Sequence, residues 1–542
     1  MDLDSHVADL RALHAAQRPA GVPAETVYPQ GQVTVPAHVS AWARSRPDHL
    51  ALLLEDQSYT YAELDDAHRR LAGWMAAKGV TRGDRVAVHL GNSTEFVIAF
   101  LAILRLGAVH VPVNPMFQAA ELAHELGDAE PSLIVTSTEL TPLLDAAADR
   151  LPATPRLVVD APGAWYAVLA TEPHAADDGD LDSLAALNYT GGTTGLPKGC
   201  QHTQRHMVYT AASAATATRI PHDGTYVGLC FLPIFWIAGE DLGILIPFVV
   251  GGTSILMRRW DAATTVDAIE THRVTLMVGT VENYLEMIDL GLQDRDLASL
   301  QDPQAVSFVR KMTPEVRRQW AQAVPGSVLR ESSYGMTETH TIDAVPYGFA
   351  EGDADLLAEP VFCGIPVPGT DVAVVEFGTQ TPVPLGEVGE IIVRSPSVTD
   401  GYWRNPEATA AQLVDGWIHT GDNGRIDEDG LLHYLGREKE MIKVNGMSVF
   451  PADVEMLLAQ YPGVDSVAVV PTDDPDRGQR PVAFVTARPG HHLTAEDIAA
   501  WSRDNMAPYK VPLVSVVGGL PMTTTGKVRK HELAEDAQRL TT

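Results

Sequence analysis

LNYTGGTTGLPKGC (residues 187–200) is the stretch on which the reading of this chain turns. A strand-like lead-in runs into Thr190, Gly191, Gly192, Thr193, Thr194 and Gly195, and Lys198 follows. Glycines let backbone N–H groups approach phosphate oxygens, threonine hydroxyls add donors, and the lysine supplies charge. The spacing is not G-x-x-x-x-G-K-[ST], because Lys198 follows Gly195 by three positions with Pro197 between. Nor does it read G-x-G-x-x-G, so a dinucleotide fold is not indicated. The stretch reads as a phosphate-holding loop of another design.

Working outward, short apolar strands alternate with helical patterns. DRVAVHL (84–90) reads as a strand, TEFVIAFLAILRLG (94–107) as an amphipathic helix closed by Gly107, and AVHVPVN (108–114) as the next strand. SLIVTS (132–137) and LMVGT (276–280) repeat the theme, which predicts an α/β fold with a mostly parallel sheet and helices on both faces. From about residue 361 the texture becomes β-strands joined by turns, which predicts a β-barrel-like subdomain. After 440 a small α/β segment has VDSVAVV (464–470) and VAFVTARP (482–489) as strands. The turn-rich GREKE (436–440) marks the expected boundary, giving domains at 1–437 and 438–542.

A chain of 542 residues is too long for one core. Its net charge of -31 disfavours nucleic acid, which is bound through clustered Lys and Arg, and disfavours an anionic membrane surface. An anionic substrate then needs a local group of donors working against the overall field. Cys200, Cys230 and Cys363 are widely separated, which fits a reducing cytosol rather than a disulfide framework. The start, MDLDSHVADLRA, lacks the basic and apolar parts of a signal peptide. FLPIFWIAGEDLGILIPFVVGG (231–252) is interrupted by Pro233, Glu240, Asp241 and Pro247, so it reads as buried core rather than membrane span. The expected location is cytoplasmic. HAADDGDLDS (174–183) reads as a solvated loop, and His202 and His206, four apart, as structural rather than zinc ligands.

Four further motifs follow in order. With the glycine–threonine loop, SYGMTET (333–339), WIHTGD (417–422), GREKEMIKVNG (436–446) and PMTTTGKVRK (521–530) resemble the motifs of the adenylate-forming superfamily, which includes acyl-CoA synthetases. The resemblance implies a large amino-terminal α/β domain and a small mobile carboxy-terminal domain with the active site between them. It also implies ATP as co-substrate, Mg²⁺ as cofactor, an acid and coenzyme A as partners, and a possible homodimer. Carried over, it assigns Thr190, Thr193, Thr194 and Lys198 to the β- and γ-phosphates, within a nucleotide site that also includes Gly191, Gly192, Gly195, Ser333 and Gly335. Tyr334 would stack on adenine, Thr337 would touch the α-phosphate, and Glu338 would hold Mg²⁺. Asp422 would accept the ribose hydroxyls, with Arg437 nearby. Lys527 would neutralise charge where the carboxylate attacks the α-phosphorus. Lys439 would be the hinge, and Asn445 and Gly446 would border the coenzyme A channel.

The acid pocket is expected from Phe235, Trp236, Gly239, Glu240, Phe308, Val309, Met336 and Thr339. Here the chain departs from its relatives. Trp236 stands where many carry a histidine, and AVSFVRKMTPE (305–315) stands where they often have Gly-Gly-Ala. Bulky Phe308 and Val309 would shorten the pocket, which favours a shorter or aromatic acid over a long fatty chain. Arg310 and Lys311 read either as a solvated helix face or as a contact for a substrate anion. The leading expectation is an acid–CoA ligase. Carrier-protein loading, and ATP-dependent activation of nitrite for coupling to an arylamine, stand as alternatives.

Overall fold

The computed structural model describes residues 2–541 apart from 152, 191–196, 308–309, 359–360, 438–439, 445–446, 475–476, 507 and 524–526. Two mostly parallel sheets, rather than the one expected, form the amino-terminal core. In the first, the strand order is Arg330–Glu331, Gln304–Val306, Leu276–Thr280, Val227–Cys230, Thr253–Leu256, Leu50–Leu54 and Gln57–Thr60, with only the last pair antiparallel. In the second it is Arg156–Val158, Leu133–Thr136, Arg85–His89, Val109–Pro112, Leu184–Tyr189 and Gly199–Thr203, again ending in one antiparallel pair. That last pair is the hairpin whose tip carries the glycine–threonine loop.

The helix Thr94–Arg105 explains why there are two sheets. It was expected to be amphipathic, yet every residue of it except Glu95 is buried. Its Phe96, Phe100 and Leu101 share one core with Leu52 and Leu54 of the first sheet and Val86 and Val88 of the second. Apolar on all sides, it has no face to offer water and is stable only between two sheets. Helices Tyr61–Ala77 and Gln204–Ala217 share that middle layer. Outer layers cover each sheet: Ile269, Tyr284 and Trp320 pack on the first, and Leu122 and Leu126 on the second.

The segment 231–252 is buried core, as expected, wound as Ile237–Glu240, a π-helical turn Asp241–Leu245 and Ile246–Val250. From residue 344 an all-antiparallel sheet runs Ala344–Val345, Val361–Pro366, Leu432–Arg437, Trp417–Ile426, Gly389–Arg394 and Asp371–Val375, with Leu413–Val414 hairpinned onto Trp417–Ile426. Gly436 and Arg437 belong to this sheet, so the strand Leu432–Arg437 reaches into the stretch read as a turn. The pairing of Asp422 with Arg437 across the two strands is what extends it.

A fourth sheet, with Ile442–Val444, Val464–Asp474, Gly478–Ala487 and Leu513–Val516, forms a separate small core with helices Pro451–Ala459 and Ala495–Asn505. Its junction with the rest is charged. Arg310 pairs with Asp465, and Lys311 Nζ lies 3.8 Å from Glu455. These two cations therefore meet protein carboxylates, not solvent or a substrate anion. Among the described residues no helix is long and apolar enough to cross a membrane.

Glu125, on the helix Ala119–Ala129, is buried beside that outer layer. Burial, helped by Asp128 and Glu121, pushes its carboxyl from 4.5 up to about 8. A carboxyl raised on folding contributes its full stability below its unfolded value and loses it as pH rises through the folded one. Stability of the wild type should therefore fall between about pH 4.5 and pH 8. At roughly 1.4 kcal/mol for each tenfold change in proton affinity, the loss is bounded at about 5 kcal/mol. Thermal melts of Glu125→Gln at pH 5 and pH 8 should show a smaller difference than the wild type.

Candidate active site

The hairpin Leu184–Tyr189 and Gly199–Thr203 delivers both ends of the glycine–threonine loop to one edge of the second sheet. Thr190 N–H donates to the Lys198 carbonyl at 3.0 Å, closing the base of the loop. Gly191, Gly192, Thr193, Thr194 and Gly195 lie outside the described residues. Lys198 Nζ sits 4.0 Å from the centroid of the Tyr402 ring and 3.5 Å from Gln412 Oε1. The cation is thus held over an aromatic face while one N–H is directed at Gln412.

Tyr402 joins this lysine to the SYGMTET segment. Its hydroxyl donates to Glu338 Oε1 at 2.7 Å and contacts Gln412. Glu338 lies in a short 3-10 turn, Thr337–Thr339, and is buried. Met336 and Thr339 are buried as well, with Thr339 Oγ1 bonded to Asp343. Just before the turn, Tyr334 and Ala344 form an isolated antiparallel bridge. Ser333 precedes Tyr334 and lines a small cavity of about 10 Å³ with Gln304, Arg330 and Tyr347.

The third group centres on Asp422. Tyr334 Oη donates to its Oδ2 at 2.8 Å, and Arg437 Nε lies 2.7 Å from its Oδ1. Burial pushes the Asp422 carboxyl up to about 6, against the pull of Arg437 and the Tyr334 hydroxyl. Lys527, from the carboxy-terminal part, belongs to this same neighbourhood. More than a third of its surface stays exposed, yet desolvation in the cleft and the Arg437 cation lower its pKa, while Asp422 and Glu440 act in the opposite sense. Its backbone N–H donates to Thr523 Oγ1 at 3.0 Å, within the lysine loop. Lys530, a turn further on, is held by Glu440 at 3.2 Å and Glu455 at 3.0 Å.

The structure therefore brings together Lys198, Tyr334, Thr337, Glu338, Asp422, Arg437 and Lys527 from five distant motifs. Other expected positions fall differently. Phe308, Val309, Lys439, Asn445 and Gly446 lie outside the described residues. Phe235 and Trp236 pack edge to face with centroids 5.4 Å apart, and Trp236 keeps part of its surface exposed. At Gly239 a Cβ would strike the Pro233 carbonyl, so this glycine serves a close backbone approach. Glu240 is fully buried between Asn188 and His340. Tyr402 and Gln412 were missed by sequence reading: nothing in GYWRNPE or the helix Pro406–Gln412 marks a side chain that will meet a lysine some 200 positions away.

The chemistry of this arrangement is that of a polyanion site with a carboxylate for ribose-like hydroxyls and a lysine on a separate part of the chain. Comparisons with known proteins agree. A family model described as AMP-binding enzyme matches residues 39–403, and one for the AMP-binding enzyme C-terminal domain matches residues 453–527. The chain belongs to the AMP-binding enzyme family. Feruloyl-CoA synthase from Amycolatopsis sp is 34% identical over 495 residues, covering 91% of this chain and 96% of that protein. The ATP-bound structure of MatB from Rhodopseudomonas palustris superposes with a TM-score of 0.82 at 28% identity, covering 93% of this chain and 100% of that one. The o-succinylbenzoate CoA synthetase from Bacillus subtilis, in complex with its acyl-adenylate intermediate, gives a TM-score of 0.78 at 25% identity over 92% of this chain and 97% of that one.

Gly335 offers a direct check on the geometry. A Cβ at this position would overlap the Thr341 carbonyl. Gly335→Ala should force the Tyr334–Ala344 bridge apart and cost about 1–3 kcal/mol of stability. Its melting temperature should fall, together with its affinity for ATP in a direct binding titration.

Proposed function

We propose that this protein is an AMP-forming acid–thiol ligase, which activates a carboxylic acid with ATP and passes the acyl group to coenzyme A. The observation that carries the proposal is the meeting of Lys527 with the Asp422–Arg437–Tyr334 group across the junction of the two parts of the chain. That juxtaposition is what the first half-reaction requires. A carboxylate oxygen attacks the α-phosphorus, pyrophosphate leaves, and an acyl-adenylate remains. In the second half-reaction the thiol sulfur attacks the acyl carbon and AMP departs with the carboxylate oxygen it acquired.

In this reading Lys198, Thr190 and the glycine–threonine loop hold the β- and γ-phosphates. Tyr334 stacks on adenine, and its hydroxyl keeps Asp422 oriented to accept the ribose hydroxyls. Thr337 meets the α-phosphate. Lys527 stabilises the charge that builds where the carboxylate attacks, a preorganised electrostatic effect rather than proton transfer.

Glu338 fits a hard divalent cation. It is a buried carboxylate, an oxygen ligand of the kind such cations prefer, and its Oε1 accepts from the Tyr402 hydroxyl. Among the described residues no group of three acidic, histidine or cysteine side chains is placed to hold a metal. Mg²⁺ would therefore share Glu338 with phosphate oxygens, where it would neutralise phosphate charge.

The second half-reaction needs Lys527 withdrawn. The parts 1–437 and 438–542 would turn about residue 439, bringing 445–446 toward the thiol. The Arg310–Asp465 and Lys311–Glu455 pairs support an orientation suited to the first step. The acid pocket beside Trp236 favours a short or aromatic acid.

The proposal is tested by measuring pyrophosphate and AMP release across short, medium, long and aromatic acids, with and without coenzyme A. One acid class should give AMP release that depends on coenzyme A. Pyrophosphate release that coenzyme A cannot discharge would overturn the choice of acceptor. Lys527→Ala should slow adenylation by about 10²–10³-fold, the scale of losing one preorganised donor. Thioester formation from a supplied acyl-adenylate should stay within a fewfold of wild type, and equal loss of both steps would contradict the role given to Lys527.

A further inference from the structure

The three-residue turn Thr337–Thr339 has little internal bonding with which to hold its own place. Its local backbone bonds are Thr339 N–H to Met336, His340 N–H to Thr337 and Thr341 N–H to Met336. Yet it carries the hydroxyl and carboxylate on which the proposed adenylation depends. What fixes it is external. The Thr337 carbonyl accepts from His202 Nε2 at 2.8 Å, the Glu338 carbonyl from Thr399 N–H at 2.7 Å, and the His340 carbonyl from Thr210 Oγ1 at 2.7 Å. The three donors come from three elements: the strand Gly199–Thr203, the loop before Tyr402, and the helix Gln204–Ala217.

His202 differs from the other two because of where it sits. It follows Lys198 by four residues on the strand that closes the phosphate-loop hairpin. Its hydrogen bond is therefore a strut between the segment assigned to the β- and γ-phosphates and the turn assigned to the α-phosphate. An apolar side chain would fill this fully buried position at no desolvation cost, whereas imidazole needs partners for both ring nitrogens. Here Nε2 serves Thr337, and Nδ1 lies 3.3 Å from His206 Nδ1. On the other side His340, in a left-handed conformation, packs edge-on against His202 with centroids 4.8 Å apart. Its Nδ1 is anchored 2.9 Å from Asp241 Oδ1, and Asp241 also accepts from the Thr341 hydroxyl. The buried chain Asp241–His340–His202 thus braces the turn from behind.

We infer that His202 is a positioning residue for adenylation, setting the α-phosphate contacts of Thr337 and Glu338 in register with the β- and γ-phosphate contacts around Lys198. The inference rests on the function proposed above. Its role is to align two halves of one nucleotide site, so its loss acts on ATP affinity and on the rate of pyrophosphate release, not on the acid. Misplacement of a reacting group by about 1 Å costs on the order of 100-fold in rate.

The test compares His202→Leu, which removes the donor, with His202→Gln, whose amide N–H reaches toward the Nε2 position. Thr210→Val, which removes the support under the His340 carbonyl, is the third variant. Each full-length protein is assayed for melting temperature, the dissociation constant of MgATP in the absence of acid, and kcat and KM for pyrophosphate release. His202→Leu should weaken MgATP about tenfold and lower kcat about 10–100-fold, while KM for the acid moves less than about threefold. His202→Gln should recover most of both losses, and Thr210→Val should show smaller losses of the same kind.

Glutamine no better than leucine, at equal melting temperatures, would show that the site needs only volume and would overturn the inference. Should His202→Leu fail to fold, Thr210→Val with wild-type MgATP affinity and kcat would overturn it equally. The MgATP titration needs no acid, so a wild-type enzyme that released no pyrophosphate with any acid would count against the proposed function while leaving the positioning role to be decided by binding.

Discussion

A carboxylate buried at the junction of two parts of a chain is costly unless something holds it, and Asp422 is the point from which the rest of this site is organised. Burial alone would favour the neutral acid. Arg437, paired across adjacent strands, and the Tyr334 hydroxyl offset part of that cost. The same three groups make a surface suited to ribose and adenine. Arg437 is also the last residue of its strand, so the ion pair sits at the end of the antiparallel sheet. Lys527 then enters a neighbourhood already containing a cation and a carboxylate, which makes its charge sensitive to how the two parts are set against one another.

The overall field of the protein makes this local arrangement necessary. With 70 acidic against 39 basic residues, ATP and an acid approach a surface that repels them. Lys198, Arg437 and Lys527 supply concentrated positive charge from three separated motifs. Arg310 and Lys311 are cations too, but they are spent on Asp465 and Glu455 at the junction and are not part of that group. Charge in this molecule thus has two distinct places, one in the proposed nucleotide site and one between the two parts.

Much of the fold was legible because the strands Arg85–His89, Val109–Pro112, Leu133–Thr136 and Leu276–Thr280 are short apolar runs with turn residues at their ends. The split into two sheets was not, since a helix buried on every side, such as Thr94–Arg105, looks in sequence much like one that rests on a single sheet. Lys198, Tyr334, Glu338, Asp422 and Lys527 were readable because their motifs are local. Tyr402, Gln412 and the His202–His340–Asp241 chain were not: most of their partners lie far away in the sequence, up to 214 positions for Gln412 and Lys198, and a lone buried histidine carries no sign of which carbonyl it will meet. The burial of Glu240 against Asn188 and His340 was likewise not readable, since neither neighbour is local in sequence.

The central claim is that a carboxylate oxygen forms a bond to the α-phosphorus in this cleft. Supplying the preferred acid with both carboxyl oxygens as ¹⁸O, together with ATP and coenzyme A, tests it directly by mass spectrometry of the products. The account predicts one ¹⁸O in each AMP formed, one retained in the thioester, and none in pyrophosphate. Unlabelled AMP, or label in an inorganic phosphate product, would mean that the acid is not activated at the α-phosphorus and would contradict it.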